Sequence, residues 1–216
     1  KRSILVKMNN GSITTTTTNN ATTSINNNNE TAEKRAKSCK SAIVPSLDHL
    51  TMSDYNTVYE PSDDTFLLLD ALAHEFDNED TTTQQQLSIN ADAIQTTLEI
   101  GCGTGVNTIY LAQILGKHST NSSSSSSSSV VEEGTTNSQT TTTTIPSTPP
   151  TRHHYVTDIN KDAIRITLQT AHHNHIPQPP HQLTPTLCDL ATPLLPLLHK
   201  KVDVLIFNPP YVPTPN

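Results

Sequence analysis

An open α/β fold, a largely parallel sheet with helices on its flanks, is what this chain of 216 residues predicts. Three observations carry that prediction. Short segments that read as strands, 96–100, 154–157 and 183–187, alternate with stretches of helical spacing, giving the order βαβαβ that a parallel sheet requires. The first run turns into the first of these helices through three closely spaced glycines, Gly101, Gly103 and Gly105. The run 202–207, five apolar residues in six, is short and β-branched enough to be a strand buried on both faces.

The elements follow in order. Residues 1–50 mix Thr, Asn and Ser with scattered Lys, including the runs 14–18 and 26–29, and read as a disordered low-complexity arm that cannot offset the entropy of ordering. With two arginines and no basic amphipathic helix, the arm makes a poor import peptide. A helix is expected from Pro61 to Phe76, because Ser62, Asp63 and Asp64 supply capping oxygens and negative charge to its first turn. Its Phe66, Leu67, Leu68, Leu69, Leu72 and Ala73 give an apolar surface wider than one stripe.

After a polar linker over 77–93 come a strand at 96–100, the glycine turn, and a helix at 106–115 built on Val106, Ile109, Tyr110, Ala112 and Leu115. The 32 residues 119–150 collapse into Ser, Thr, Gly and Pro and read as a disordered insertion in a surface loop. Order resumes with a strand at 154–157, a helix at 161–173, a strand at 183–187 and the strand 202–207, with Pro193 and Pro196 barring a long helix between the last two. The expected domain therefore spans 51–216 and stops after its fourth strand, with a C-terminal part missing.

Composition narrows the class. Only 32% of residues are hydrophobic and 4% aromatic, an average over the polar runs and an ordinary core. No apolar run nears the roughly 18–20 residues of a membrane span. Cys39, Cys102 and Cys188 are too scattered for a disulfide framework and form no CxxC pair, which points to a reducing compartment, cytoplasmic with nuclear access also open. Residues 1–40 hold seven Lys and Arg against two Glu, which leaves six basic and eighteen acidic residues from 41 onward. So acidic a domain disfavours a phosphate backbone as partner. His172, His173, His175 and His181 lack the Cys, Asp or Glu that would complete a tetrahedral set, and no metal site is expected.

Gly101, Gly103 and Gly105, between a strand and a helix, suit a tight turn and close backbone approach to a ligand at the helix N-terminus. A nucleoside-binding unit of this topology carries an acidic residue after the next strand, about 20 positions on, whose carboxylate accepts from the ribose hydroxyls. Asp158 lies 53 positions beyond Gly105, and setting aside the 32-residue insertion leaves 21. Glu99, just before the glycines, favours S-adenosylmethionine (AdoMet) over NAD, because a carboxylate there would face a cationic methionine moiety but would be repelled by a pyrophosphate. Asn208, Pro209, Pro210 and Tyr211 follow the last strand at the carboxyl edge of the sheet, where ligands bind in open α/β folds. Two prolines stiffen that turn, so carbonyls and the Asn side chain can converge on a planar NH2 group, with Tyr211 packing on its flat face. Each motif alone also serves as an ordinary turn or cap; their order along the chain is what argues for methyl transfer to an amide or exocyclic amine.

The stretches YEPSDDTFLLLDAL at 59–72, LEIGCGTG at 98–105, TDIN at 157–160 and NPPY at 208–211 together resemble the HemK-like class I AdoMet-dependent methyltransferases. Within them the likeness is to the eukaryotic and archaeal branch that methylates the glutamine of the GGQ motif in class-1 translation termination factors. The first stretch is the specific one and the resemblance covers about 54–116 and 152–215. It implies a Rossmann-like sheet of seven strands, AdoMet surrounded by Thr65, Glu99, Gly101, Asp158, Asp189 and Asn208, and a substrate amide gripped by Asn208 and the Pro209 carbonyl. It also implies a small zinc-binding activator subunit, hence a heterodimer. Three other readings stand beside it: adenine-N6 methylation of DNA, protein lysine methylation, and a catalytically dead fragment or binding module.

Overall fold

A computed structural model describes residues 4–9, 12–17, 22–26, 44–76, 91–121, 151–176 and 181–208. The strands are β1 (Ile4–Asn9), β2 (Ser12–Thr17), β3 (Thr22–Asn26), β4 (Thr96–Ile100), β5 (Arg152–Asp158), β6 (His181–Leu187) and β7 (Val204–Phe207). The helices are α1 (Met52–Tyr55), α2 (Asp63–Phe76), α3 (Val106–Asn121), α4 (Lys161–His173) and α5 (Leu195–Leu198), with 3-10 turns at Ala91–Ala93 and Thr192–Leu194. One mixed sheet runs β3-β2-β1-β7-β4-β5-β6. It is the Rossmann-like arrangement expected, with β1, β7, β4, β5 and β6 all parallel.

From β4 the chain winds outward through β5 to β6, then returns to place β7 on the other side of β4, all in parallel register. The reversal of strand order on either side of β4 opens a crevice at the carboxyl edge, and that is where such sheets bind ligands. The core explains the layering. Leu67, Leu68, Leu72, Tyr110, Leu111 and Ile114 of α2 and α3 pack on Val204 and Ile206, while Ala163 and Ile166 of α4 pack on Val156. Alternate residues of the same strands, Leu98, Tyr155 and Leu205, face the opposite layer with Ala191 and Leu198.

Of the arm 1–50 expected to be disordered, residues 4–9, 12–17, 22–26 and 44–50 take up defined structure, and the rest lie outside the described residues. Residues 4–7 pair in parallel with β7, Ile4 opposite Val204 through Lys7 opposite Phe207, and β2 and β3 continue the sheet antiparallel. The reason is the apolar run at the start: Val6 is fully buried against the α2 and β7 core, and threonines, being β-branched, tolerate a pleated surface well. Residues 44–50 are also ordered. The Ser46 N–H donates to Asn174 Oδ1 at 2.8 Å and Asn174 Nδ2 donates back to the Ser46 carbonyl at 2.9 Å, strapping this segment onto the end of α4.

Several boundaries shift for reasons the side chains show. α3 continues to Asn121, taking in the first residues of the expected insertion, whose remaining part lies outside the described residues. β5 begins at Arg152, which is 1% exposed and donates from Nε to the Ile94 carbonyl at 3.1 Å. β7 begins one residue after Asp203, whose buried carboxylate accepts from the Gln95 and Thr96 N–H groups at 3.0 and 2.9 Å. That bond ties the start of β7 to the start of β4.

Candidate cofactor and substrate site

The glycine loop is fastened at both ends. The N–H groups of Gly101 and Cys102 donate to the Thr157 carbonyl at 2.8 and 3.1 Å, and Gly105 N–H donates to the Cys102 carbonyl at 2.7 Å before α3 begins. All three glycines have positive φ, 75°, 52° and 80°. Their surroundings differ. A Cβ on Gly103 would meet nothing within 4 Å, and one on Gly101 would only touch the Asn208 carbonyl oxygen at 4.0 Å. A Cβ on Gly105 would stand 2.7 Å from Thr167 Cγ2, so this glycine serves the packing of the loop on α4.

Asp158, at the end of β5, reaches the loop from the neighbouring strand. Its Oδ2 accepts from Gly103 N–H at 3.1 Å and its Oδ1 from Asn160 N–H at 2.9 Å. Each oxygen accepts one such bond and has a second lone pair. Glu99 lies near the end of β4, just before the loop. It is 1% exposed, and its carboxylate accepts from Asn107 Nδ2 at 3.0 Å, from Thr108 N–H at 3.2 Å and from the Thr108 hydroxyl. These bonds clamp β4 to the first turn of α3. Burial pushes its carboxyl up to about 7, against the pull of the Thr108 and Asn107 hydrogen bonds.

The remaining cofactor candidates lie along the same edge. Thr65 is half-buried in the first turn of α2, where its Oγ1 is 3.4 Å from the Ser62 N–H. Asp189 is exposed just beyond β6, and its neighbour Cys188 donates its N–H to the Asp158 carbonyl at 2.9 Å. Cys102 is buried under the loop, and burial, with the charges of Glu99 and Asp158, drives its thiol far up, so it is inert packing.

Asn208 closes the crevice from β7. Its Nδ2 donates to Asp64 Oδ2 at 2.9 Å, while its Oδ1 is buried and meets no donor among the described residues. Pro209, Pro210 and Tyr211 lie outside the described residues. The structure thus brings Gly101, Gly103, Asp158, Thr65 and Asn208 to one edge. Asp64, Asn107, Thr108 and Thr167 are participants the sequence reading did not assign. Asp64 stood inside the 59–72 stretch, but its negative charge was fully accounted for by the start of α2.

Among the described residues no three His, Cys, Asp or Glu gather as a metal would need. The His173 and His49 rings lie 4.6 Å apart, tilted by 30°, and His181 pairs with His154 in the sheet, so these two histidines of the 172–181 group have separate surroundings.

No family model matches the chain. Curated relatives do. It is 31% identical over 175 residues to the mouse protein named methyltransferase HEMK2, covering 81% of this chain and 58% of that one. The human protein of the same name is 32% identical over 79% of this chain and 56% of its own. The Schizosaccharomyces pombe protein named eRF1 methyltransferase catalytic subunit mtq2 is 30% identical over 79% of this chain and 57% of its own. By sequence, the chain belongs with the HemK-like methyltransferases. It spans little more than half the length of these relatives.

Proposed function

We propose that this chain carries out AdoMet-dependent N5-methylation of the glutamine side chain in the GGQ motif of a class-1 translation termination factor. The observation that carries the reading is the polarity of Asn208: its amide nitrogen is engaged by Asp64, and its buried Oδ1 is left as an acceptor without a donor. A buried acceptor is costly to leave unmade, so the site is suited to a ligand that brings an N–H. A carboxamide does so.

The residues present fit AdoMet. Gly103 leaves open space beside the loop, and the Asp158 carboxylate retains lone pairs for a diol. Thr65, Glu99, Gly101, Gly103, Gly105, Asp158, Asp189 and Asn208 would surround the cofactor, with Glu99 and Gly105 also keeping the loop in place. When bound, AdoMet supplies a methyl group on a positively charged sulfur. An amide nitrogen is a poor nucleophile because its lone pair is delocalised. Asn208 Oδ1 accepting one N–H, and the Pro209 carbonyl the other, would orient the nitrogen and raise its electron density. Positioning of this kind supplies much of the rate in displacement reactions.

The relatives named methyltransferase, and the one named eRF1 methyltransferase catalytic subunit, support both the reaction class and a termination factor as substrate. The words "catalytic subunit" also support a partner, which we take to be a small zinc-binding activator, in a cytoplasmic heterodimer with nuclear access. Incubating the chain and activator with methyl-labelled AdoMet and eRF1 should label the GGQ glutamine. Label that persists when that glutamine is replaced by alanine overturns the reading.

A further inference from the structure

We infer that Asp64 is the positioning residue for Asn208: it selects which end of the Asn208 amide faces the substrate. The inference rests on the amide-methylation reading above and names a residue that acts through another. An asparagine side chain has two ends of nearly equal shape and opposite polarity, and a half-turn about its terminal bond exchanges an acceptor for a donor. A substrate NH2 group needs the acceptor. Nothing in the backbone at Asn208 decides between the two orientations; the partner of the amide does.

Asp64 is such a partner because it can only accept. Burial pushes its carboxyl up, but hydrogen bonds from Ser62 Oγ, Asn208 Nδ2 and the Thr65 and Asp64 backbone N–H groups outweigh burial and hold it below the usual carboxylate range. It is therefore ionised at neutral pH. Ser62 Oγ donates to Oδ1 at 2.5 Å and Asn208 Nδ2 to Oδ2 at 2.9 Å, so the two side-chain donors divide the two oxygens. The first turn of α2 fixes the carboxylate, and the carboxylate fixes the amide. Turning Asn208 over would set its Oδ1 against a carboxylate oxygen and present an NH2 to the substrate NH2, two repulsions at once. Charge-assisted bonds are also stronger than neutral ones, which steepens the preference.

The arrangement makes Asp64→Asn an informative substitution. It is nearly isosteric and keeps the packing, but an amide at 64 can donate as well as accept, so either orientation of Asn208 finds a partner. Methyl transfer by the D64N chain should fall by ~10- to 100-fold in kcat, the scale of a lost oriented contact. AdoMet affinity by calorimetry should fall by no more than about threefold, since Asp64 itself is not among the residues assigned to the cofactor and Asn208 is only one of them. The swap D64N/N208D restores a unique polarity, because the amide then at position 64 donates to the carboxylate then at position 208, whose other oxygen can only accept; it should recover at least about tenfold over D64N.

A readout independent of turnover separates this inference from the function it rests on. In 15N-labelled protein the Asn208 side-chain NH2 resonances, assigned by their loss in N208D, should be shifted downfield and protected from exchange, and should move to the position of a free amide in D64A. An Asn208 NH2 signal unchanged by D64A overturns the inference whether or not the chain methylates anything. So does a D64N chain with kcat within threefold of the parent, or one whose AdoMet affinity falls in step with kcat. Failure of the parent to label the glutamine, with the NMR shift intact, sinks the substrate reading alone.

Discussion

The three loop glycines look alike in sequence and differ in what they tolerate. Gly105 needs both its positive φ of 80° and the space that a Cβ would take from Thr167 at 2.7 Å. Gly103 needs only its φ of 52°. Alanine at 105 should therefore cost ~3 kcal/mol or more, a left-handed penalty plus overpacking, and alanine at 103 about 1 kcal/mol. Urea unfolding of the two variants checks the order, and G103A proving as damaging as G105A would contradict it. The sequence predicts the loop because glycines between a strand and a helix are a local signal. It does not tell which glycine packs and which opens, since Thr167 is 62 positions from Gly105 and only the fold brings them together. Glu99 teaches the same lesson. Its place before the glycines was legible, but its partners Asn107 and Thr108 in the first turn of α3, with which it clamps β4 to that helix, were not.

Among the elements, β7 was legible as a short apolar run, and β4, β5 and β6, with two apolar residues each, by their places between glycine, proline and helix signals. β1 was not, because its five residues from Ile4 to Met8 are diluted by the Thr and Asn runs that follow, and composition averaged over 1–50 hides a strand. Two local signals were present in the sequence itself: the β-branched start of that run and the Asn10-Gly11 pair, which favours a two-residue hairpin connection. The contribution of β1 is specific. It covers the free edge of β7 and adds Val6 to the α2 core. Val6→Asp would put a carboxylate among Leu67, Leu68 and Val204 and should cost ~3 kcal/mol or more. The urea midpoint should drop accordingly; a midpoint equal to that of the parent would mean that residues 4–9 do not hold the sheet.

For the molecule as a whole, buried titrating groups set how stability responds to acid. Across the sheet from β4 to β6 runs a chain of contacts, Thr97 Oγ1 to His154 Nδ1 at 2.8 Å and His154 Nε2 to His181 Nδ1 at 2.9 Å. Burial first, then the neighbouring His181, Arg152 and His153 charges, lower His154 to about 3; burial and Arg152 lower His181 to about 4. A histidine held neutral in the fold supports stability above its ordinary value of 6.5, and that support is lost as pH falls from there toward the lowered value. Glu99 works the other way. Its raised value of about 7 favours the fold below the ordinary 4.5, and that advantage is lost as pH rises through 7. Between pH 6.5 and 4.5 the two histidines together cost one proton more than Glu99 returns, so acid should destabilise the chain. His181→Gln removes one of the two histidine titrations and keeps a side chain able to hydrogen-bond His154. Its loss of unfolding free energy over this window should be shallower than that of the parent by about 1.4 kcal/mol per pH unit. Urea midpoints taken at several pH values test this. Parallel acid limbs for parent and variant would show that the histidine pair does not stay neutral in the fold.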